Sequence, residues 1–434
     1  MLRLHPRSSP KPPVFRFLHA ADVHVDSPLV GLDRYESAPV AAVRGATRRA
    51  FENLVRLAID EQVAFVLLAG DLYDGDWKDY RTGLFFVEQM AKLREAGIPV
   101  FIVAGNHDAA SQLTKNLRSP DNVHFFSTRK PETCRIDALD IAIHGQGFAS
   151  RAITEDLAAA YPIADPGLFH VGLLHTSLDG REGHAPYAPT SSRVLSQKGY
   201  QYWALGHVHK REIVLQDPWI VFPGNLQGRH AREVGPKGCT LVTVENGAAT
   251  GVEARSVDVL RWGVCRVDVD GVATTGDVLD RVARSLAAEA VDADGRALAA
   301  RVEVIGAAAC HGDLAANPDH WVEEIRALAT SVSAADVWVE KVRFATDQPA
   351  DFTELAARDD ALGSFLRDLA AASADPAEAE ALKDALADVR AALPPDLLTG
   401  DDALDPQAQE VMQRLVAEAR DLLLARISRE GASR

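Results

Sequence analysis

The sequence predicts an α/β protein built on a two-sheet sandwich, followed by a small α+β domain and a helical C-terminal tail. Between residues 14 and 257, apolar runs of strand length alternate with segments of helical periodicity. Strand–helix–strand units of this length favour right-handed crossovers and a largely parallel sheet. The later strands follow one another more closely, so part of this half is expected to be antiparallel and to pack as a second sheet. Together these observations predict an αββα sandwich.

The strands of this first half are apolar runs that end at glycine or turn residues. Its two long helices show the spacing of an amphipathic helix, with Ala50 and Leu54 on one face of the first and Met90 and Leu93 on one face of the second. The predicted helices span residues 43–62 and 82–96, and the predicted strands span residues 15–19, 63–68, 98–103, 139–144, 169–174, 202–205, 213–215, 219–222 and 239–244.

The sequence changes character after residue 260. Residues 261–346 contain three further strand patterns and two helical ones, which predict a small α+β capping domain. Residues 347–434 are typical of amphipathic helices, whose apolar stripes need a surface to pack against. That surface is either the chain's own body or a partner helix, and the sequence leaves both interpretations open. The predicted domains are residues 14–260, 261–346 and 347–434.

Composition limits the classes of protein to which the chain can belong. Apolar residues make up 47% of its 434 residues and charged residues 25%, as in ordinary soluble proteins. No apolar run approaches the roughly 18 residues that a membrane-spanning helix needs. Residues 1–13 lack the apolar core of a signal peptide and are interpreted as a disordered leader, so we expect a cytoplasmic protein without membrane association. The four cysteines form no CxxC pair, which favours reduced thiols over disulfides or a zinc ribbon.

The net charge of −16 argues at first sight against a nucleic-acid-binding protein. Much of this charge lies at the end of the chain, because residues 351–434 contain 18 Asp or Glu but only nine Lys or Arg. The sequence shows no basic stripe of the kind that is typical of DNA-binding proteins. Affinity for DNA is therefore expected to come from local basic residues, from bound metals or from a partner.

Side chains of the types that bind metals follow five of the apolar runs. Such runs are typical of buried parallel strands, and open α/β sheets bind ligands at the carboxyl ends of these strands. We therefore expect the five strand ends to converge and to bring carboxylates, an amide and several imidazoles together. One such motif alone could be a turn or a surface pair, but the whole set indicates a metal centre. The segments are Asp22-Val23-His24, Gly70-Asp71-Leu72-Tyr73-Asp74, Gly105-Asn106-His107-Asp108, His175 and Gly206-His207-Val208-His209.

These ligands are too many for one ion and suit two ions that share a carboxylate, roughly 3.5–4 Å apart. Asp71 is the best bridging candidate, because the preceding glycine lets the chain bend sharply at the strand end. Asp22 and His24 are two residues apart and can face one ion, whereas His207 and His209 can be divided between the two.

The ligand types also indicate which metals and which chemistry to expect. Mixed nitrogen and oxygen ligands suit Mn, Fe, Co or Zn, and a carboxylate-rich site with an open position favours Mn. Paired metals of this kind activate water and neutralise phosphate charge during the hydrolysis of phosphate esters.

With these residues the chain resembles the calcineurin-like metallophosphoesterase superfamily, whose pattern is DxH, GDxxD, GNH[DE], an isolated His and GHxH. The resemblance implies an αββα sandwich with two metals, and it leaves His107 as an unliganded acid or transition-state stabiliser. The implied ligands are Asp22, His24, Asp71 and His209 for the first ion, and Asp71, Asn106, His175 and His207 for the second.

Further segments are similar to the DNA-repair exonuclease branch of this superfamily. The opening 17–24, FLHAADVH, resembles the start of SbcD-like nuclease subunits, and segments 223–230 and 235–239 resemble the YhaO-type subgroup. The resemblance covers roughly residues 14–260 and implies a Mn-dependent DNA exonuclease. It also implies that the capping domain contacts DNA and that the helical tail docks an SMC-like ATPase in a repair complex, with homodimers frequent in the family.

Two departures from the branch concern substrate handling. Archaeal and eukaryotic relatives carry a His linked to exonuclease activity where this chain has Asp74, so the resemblance gives Asp74 a catalytic place but leaves the polarity of cleavage open. Basic loop residues are sparse, and Arg229 and Arg232 are the best candidates for phosphate contacts because they follow the His-x-His loop.

One rival interpretation of the sequence is a metallophosphoesterase acting on small nucleotides or phosphoproteins. The other is a scaffold that docks an ATPase without cleaving.

Overall fold

A computed structural model gives the fold of most of the chain. The predicted leader and Asp74 lie outside the residues that it describes, as do parts of the predicted helical tail. The described residues are 14–27, 29, 45–73, 80–110, 120–180, 187–332, 336–348, 357, 359–360, 363–367, 376–393, 398, 404–415 and 418.

The chain forms two compact units. The predicted division into domains at residues 260 and 346 stays a prediction. The first unit comprises Met1–Gly263 with Asp292–Ala299, and the second comprises Val264–Val291 with Ala300–Arg434.

The first unit contains a six-stranded sheet that begins with the N-terminal strand. Its strands are β1 (Phe15–Ala20), β2 (Phe65–Ala69), β3 (Val100–Val103), β4 (Val123–Phe125), β11 (Gly238–Glu245) and β12 (Ala248–Ser256). The order across the sheet is β12-β11-β1-β2-β3-β4. Strands β1 to β4 are parallel, whereas β11 and β12 add to them in antiparallel pairs.

A second six-stranded sheet completes the sandwich. Its strands are β5 (Glu132–Ile136), β6 (Ile141–Gly145), β7 (Phe169–His175), β8 (Tyr202–Gly206), β9 (Glu212–Gln216) and β10 (Trp219–Phe222). The order is β5-β6-β7-β8-β10-β9, with a parallel centre and an antiparallel strand at each edge.

An aromatic core lies between the two sheets. Successive side chains of a strand point to opposite faces, so Phe17 and Phe65 face the second sheet while Leu18 on β1 faces the helices. The rings of Phe17 and Phe65 stack with centroids 4.8 Å apart, and Tyr202 of the second sheet meets Phe17 edge-on at 5.3 Å. Both faces of the central strands are thus buried, as expected for parallel strands covered on two sides.

Helices cover the outer faces of the sandwich, which confirms the predicted αββα fold. Helices α1 (Ala46–Asp60) and α2 (Tyr80–Glu95) pack on the first sheet through a shared apolar cluster. The outer face of the second sheet has shorter cover around the buried Trp203, namely the 3₁₀ turn Leu157–Ala160 and helix α4 (Ser192–Ser196). The short helix α3 (Asn106–Ala110) follows β3 in the chain.

The second unit is built on a three-stranded sheet with helices, and most of the described residues of the tail are helical. Among the described residues, no helix combines the length and the apolar composition needed to cross a bilayer. The strands, in the order β13-β14-β15, are Leu260–Asp268, Ala297–Ala307 and Val337–Asp347; the helices are α5 (Thr275–Asp292), α6 (His311–Ala316), α7 (Pro318–Val332), α8 (Pro376–Ala385) and α9 (Ala387–Ala392).

Three strands, β4, β5 and β12, are not predicted by the sequence. The first has only three residues, and β5 and β12 alternate partly buried with exposed residues at or near the edges of their sheets. Such strands lack the continuous apolar run by which the central strands are recognised.

The stacked aromatic core leads to a prediction about stability. Phe65→Ala should lower the free energy of unfolding of the first unit by about 3–5 kcal/mol, because the ring is fully buried and its removal leaves a cavity. Denaturant-induced unfolding measures the loss. Leu84→Ala is the matched control: its side chain is 62% exposed on α2, so the change should stay below about 0.5 kcal/mol. Similar losses for the two variants would contradict the assignment of Phe65 to the core.

Candidate metal centre

Five strands of the two sheets bring ligand-type side chains to one end of the sandwich. Asp22, Asp71 and Asn106 follow β1, β2 and β3 of the first sheet. His175 is the last residue of β7, and His207 follows β8 of the second sheet. All five positions are therefore at the carboxyl ends of parallel strands, where the sequence predicts them.

Two overlapping groups of side chains lie close enough to hold metal ions. Ligand atoms of Asp22, His24 and His209 lie within 4.8 Å of one another, and so do those of Asp22, Asp71 and His175. The Nε2 atoms of His24 and His209 are 3.3 Å apart. Asp71 Oδ2 is 3.9 Å from His24 Nε2 and 3.5 Å from His175 Nε2. This oxygen lies between one imidazole of each predicted ion, which is the position of a bridging ligand.

Asn106 and His207 complete the cluster. Asn106 Oδ1 lies 2.9 Å from Nε2 of His175. The ring of His207 lies 5.2 Å from that of His175, and its backbone N–H donates to both carboxylate oxygens of Asp22. The structure thus brings all seven predicted ligands together, while their binding of metal stays a prediction.

The hydrogen-bonding capacity of these atoms fits a bound cation. His175 Nδ1 lies 2.9 Å from the carbonyl oxygen of Ala69, which can only accept, so Nδ1 carries the proton of the neutral ring. Burial lowers the pKa of His175 to about 3, so the ring stays neutral and its Nε2 presents a lone pair. That lone pair faces oxygens of Asn106 and Asp71. A cation between these facing acceptors would satisfy all of them at once.

The same pattern recurs at His209. Its Nδ1 lies 2.6 Å from Glu233 Oε1, and a proton donated there leaves a lone pair on Nε2. This Nε2 faces the imidazole of His24. Nitrogen and oxygen donors arranged in this way suit a divalent transition metal, and a carboxylate on the far side of a histidine ligand is the usual device for orienting it.

Two buried carboxylates add negative charge to the cluster. The side chains of Asp22 and Asp71 are almost completely buried. Burial raises the pKa of Asp22 well above its usual range, and the nearby charge of Asp71 raises it further. Divalent ions would compensate both effects and keep the carboxylates ionised.

The backbone at the cluster is held in uncommon conformations. The φ angles of Asp22, His24, Asp71 and His207 are 49°, 45°, 53° and 104°, in the region that residues with a Cβ rarely adopt. Each such residue costs about 1–3 kcal/mol and persists only where the surrounding structure enforces it, as at functional sites. The loops also touch closely, because a Cβ added to Gly105 would clash with Asp71 Oδ1.

Asp108 fixes two of these loops against each other. Its Oδ1 accepts from the backbone N–H groups of Leu72 and Tyr73, and its Oδ2 accepts from that of Gly105. Burial, together with the charge of Asp71, raises the pKa of Asp108 to about 7. The sequence shows Asp108 as part of a motif but does not indicate this positioning role.

Glu233 is a further positioning residue, and the sequence analysis does not predict it. Its Oε1 accepts from His209, and its Oε2 accepts from the side chain of Asn225 and the backbone of Arg229. Burial alone would raise the pKa of Glu233, but the hydrogen bonds that it accepts from His209 and from the backbone N–H of Arg229 lower it overall. The only signal in the sequence is the segment 223–230, which supplies two of these partners.

The remaining predicted site residues differ in how close they lie to the seven predicted ligands. His107 is partly exposed, its ring lies 5.1 Å from that of His24, and its backbone N–H donates to Asp71. Arg229 contacts the Ser27 hydroxyl at 3.1 Å, and its positive charge acts to lower the pKa of Asp22, so it lies beside the cluster. Arg232 is exposed, and its backbone N–H donates to Nδ1 of His230. Asp74 is outside the described residues.

Family profiles agree with this geometry. Residues 15–211 match the family described as calcineurin-like phosphoesterase. The chain carries a calcineurin-like phosphoesterase domain. All seven predicted ligands of this phosphoesterase domain lie within the matched range. Residues 262–347 match the family described as metallophosphoesterase YhaO, middle domain.

Relatives of known sequence extend the comparison. A protein of Bacillus subtilis named uncharacterized metallophosphoesterase YhaO is 40% identical over 257 residues, which cover 58% of this chain. The chain spans 63%, less than two thirds, of that relative's length. Several proteins named DNA double-strand break repair protein Mre11 also match. The one from Methanopyrus kandleri is 26% identical over 74% of this chain and 72% of its own length, and the one from Archaeoglobus fulgidus is 36% identical over 50% and 51%.

The contact between Glu233 and His209 leads to a prediction about metal affinity. Glu233→Gln should weaken binding of the metal held by His209 by about 10–100-fold, because the imidazole loses the carboxylate that fixes its tautomer and orientation. Calorimetric titration of the metal-free protein with Mn²⁺ measures the change. The matched control is Glu245→Gln at the exposed end of β11, which should leave the affinity unchanged. Equal affinity of the Glu233 variant and the wild type would contradict the positioning role.

Proposed function

We propose that the phosphoesterase domain hydrolyses phosphodiester bonds in DNA, with Mn as its preferred metal, and that the chain is the nuclease subunit of a DNA repair complex. The proposal of hydrolysis rests on one observation: seven ligand-type side chains form a cluster in which Asp71 Oδ2 lies between imidazoles of the two predicted ions. Support for DNA as the substrate comes from the relatives named as double-strand break repair proteins.

The residues divide into holders of metal and groups that act on the substrate. Bound ions would supply a Lewis acid that activates water and neutralises the phosphate. The cationic side chain of Arg229 lies next to the cluster, where it can hold a phosphate oxygen through charge-assisted hydrogen bonds. One ion would be held by Asp22, His24, Asp71 and His209, and the other by Asp71, Asn106, His175 and His207.

His107 is suited to proton transfer to the leaving oxygen. Its ring is partly exposed at the edge of the cluster, whereas the neighbouring imidazoles of His24 and His175 are buried. Its backbone is fixed through Asp71, so its position is coupled to the ligand set. A histidine held in this way can act as general acid because its ordinary pKa lies near neutral pH.

The partner proposals concern the C-terminal parts of the chain. We propose that residues 261–346 contact DNA, that a homodimer forms through the phosphoesterase domain, and that residues 347–434 dock an SMC-like ATPase. Apolar side chains on helices in the described part of this tail are supportive, because Phe365, Leu382 and Val389 are between 39% and 54% exposed. Exposed apolar residues on amphipathic helices are the usual anchors for a partner helix.

The proposed role of His107 predicts a loss of turnover without a loss of metal. His107→Ala should retain both metals by elemental analysis and lower the rate on a small chromogenic diester by about 10²–10⁴-fold. His320→Ala, an exposed histidine of the second unit, is the control and should keep the wild-type rate. An unchanged rate in the His107 variant would remove this residue from the mechanism.

The substrate proposal is tested with end-labelled duplex and single-stranded DNA in the presence of Mn²⁺. We expect cleavage by the wild type, and no cleavage with EDTA or in the Asp71→Ala variant, because removal of the shared carboxylate releases metal. The product ladder then gives the polarity. Full metal occupancy in Asp71→Ala would contradict the bridging assignment. Hydrolysis of the small diester without DNA cleavage, even with an SMC-like ATPase added, would favour a phosphoesterase of small nucleotides or phosphoproteins instead.

A further inference from the structure

A second group of ligand-type side chains lies apart from the metal centre, at the edges of the two sheets. Strand β4 is an edge of the first sheet, and β5 is an edge of the second. His124 lies on β4, and Glu132 and Cys134 lie on β5. One imidazole nitrogen, one carboxylate oxygen and the thiol sulfur of these residues lie within 4.8 Å of one another. We call these three residues the edge cluster.

The register of the strands places the edge cluster. Burial along β5 alternates, so Glu132 and Cys134 share the partly buried face while Thr133 and Arg135 are exposed on the other. Strand β4 pairs with β3 so that His124 lies beside Phe101. The two edge strands thus present three ligand types from both sheets to a common space.

Three contacts hold the edge cluster in shape before any ligand arrives. The ring of His124 meets that of Phe126 edge-on at 4.9 Å and lies 6.2 Å from that of Phe101. Glu132 Oε2 accepts from the backbone N–H of Ser127 at 3.0 Å, which leaves Oε1 directed at the imidazole. Orientation of ligands by such outer contacts is a regular feature of protein metal sites.

One atom of the edge cluster is left without the partner that burial normally demands. His124 Nε2 is inaccessible to solvent and makes no hydrogen bond, although Glu132 Oε1 lies 3.4 Å away. A buried polar atom without a partner costs about 1–3 kcal/mol. A metal ion between the nitrogen and the oxygen would satisfy both atoms.

We propose that His124, Glu132 and Cys134 bind a zinc-class divalent ion that joins the edges of the two sheets. Nitrogen, sulfur and carboxylate oxygen are the ligands that Zn²⁺ takes in proteins, in tetrahedral geometry. Ligand atoms at the usual bond lengths of such a site are roughly 3.3–3.7 Å apart. The distance of 3.4 Å between His124 Nε2 and Glu132 Oε1 already fits this range. The ligand atoms of all three residues lie within 4.8 Å of one another, so a small movement of the side chains would bring the sulfur into the same range.

Binding would exchange a proton for the metal. Burial, together with the charge of Glu132, raises the pKa of Cys134 to about 11, so the free thiol is protonated at neutral pH. The ion forms a bond to sulfur and the S–H proton leaves to solvent, with no change of oxidation state. With three protein ligands, the fourth position remains for water. Joining the edges would also shield β4 and β5 from pairing with other chains.

The test uses Co²⁺ as a spectroscopic probe of the full-length protein after removal of metals by chelation. Thiolate bound to Co²⁺ gives a near-ultraviolet charge-transfer band, and the seven predicted ligands of the metal centre include no sulfur. We expect the band in the wild type, its loss in Cys134→Ser and in His124→Ala, and one equivalent less zinc in each variant. The matched control is Cys310→Ser, a buried cysteine of the second unit, which should keep the band.

Further variants separate this proposal from the proposed function. Asp71→Ala should lose hydrolysis but keep the thiolate band, whereas Cys134→Ser should keep hydrolysis of the small diester. If Cys134→Ser does not fold, Glu132→Gln serves instead and should lower the zinc affinity of the edge cluster at least tenfold while retaining a weakened band. Absence of the band in the wild type, or its persistence in Cys134→Ser, would overturn the proposal.

Discussion

The geometry of the metal centre depends on the placement of one carboxylate, that of Asp71. One of its oxygens is held by the backbone of His107, and the other lies between the imidazoles of His24 and His175. This placement requires the loops after β2 and β3 to touch without a side chain between them, which is why Gly105 has no room for a Cβ. Because the carboxylate is buried beside a second one, the arrangement is favourable only with positive charge among its neighbours.

The sandwich supplies the rigidity that this arrangement needs. Residues in left-handed conformations would relax if their loops were loosely attached. The four predicted ligands with positive φ lie in loops that follow strands buried on both faces, and these strands hold the loops in place. The core between the sheets is dominated by aromatic rings such as Phe17, Phe65 and Tyr202, which pack in few orientations. A well-packed core of this kind has low compressibility, and so the strand ends keep their spacing.

The sequence predicts the parts of the site that follow directly from buried strands. Strands β2, β3 and β8 are continuous apolar runs, and β1 and β7 are mostly apolar, so both the strands and the ligands at their ends can be recognised in the sequence. Glu233 could not be predicted, because it meets His209, 24 residues earlier, only through the fold of an irregular segment. The proximity of His124 to Cys134 could not be predicted either. The sequence of β5 is polar enough to be taken for a loop, and His124 lies on β4, which belongs to the other sheet.

The origin of the ligands in two different sheets has a thermodynamic consequence. Asp22 and Asp71 come from the first sheet, and His175 and His207 from the second, so ions bound among them would clamp the sandwich at one end. A ligand that binds only the folded state stabilises it by about 2.7 kcal/mol when its free concentration is one hundred times Kd. Metal supply would then set the stability of the fold as well as the rate of turnover, and a chain deprived of metal would be more often open to proteolysis.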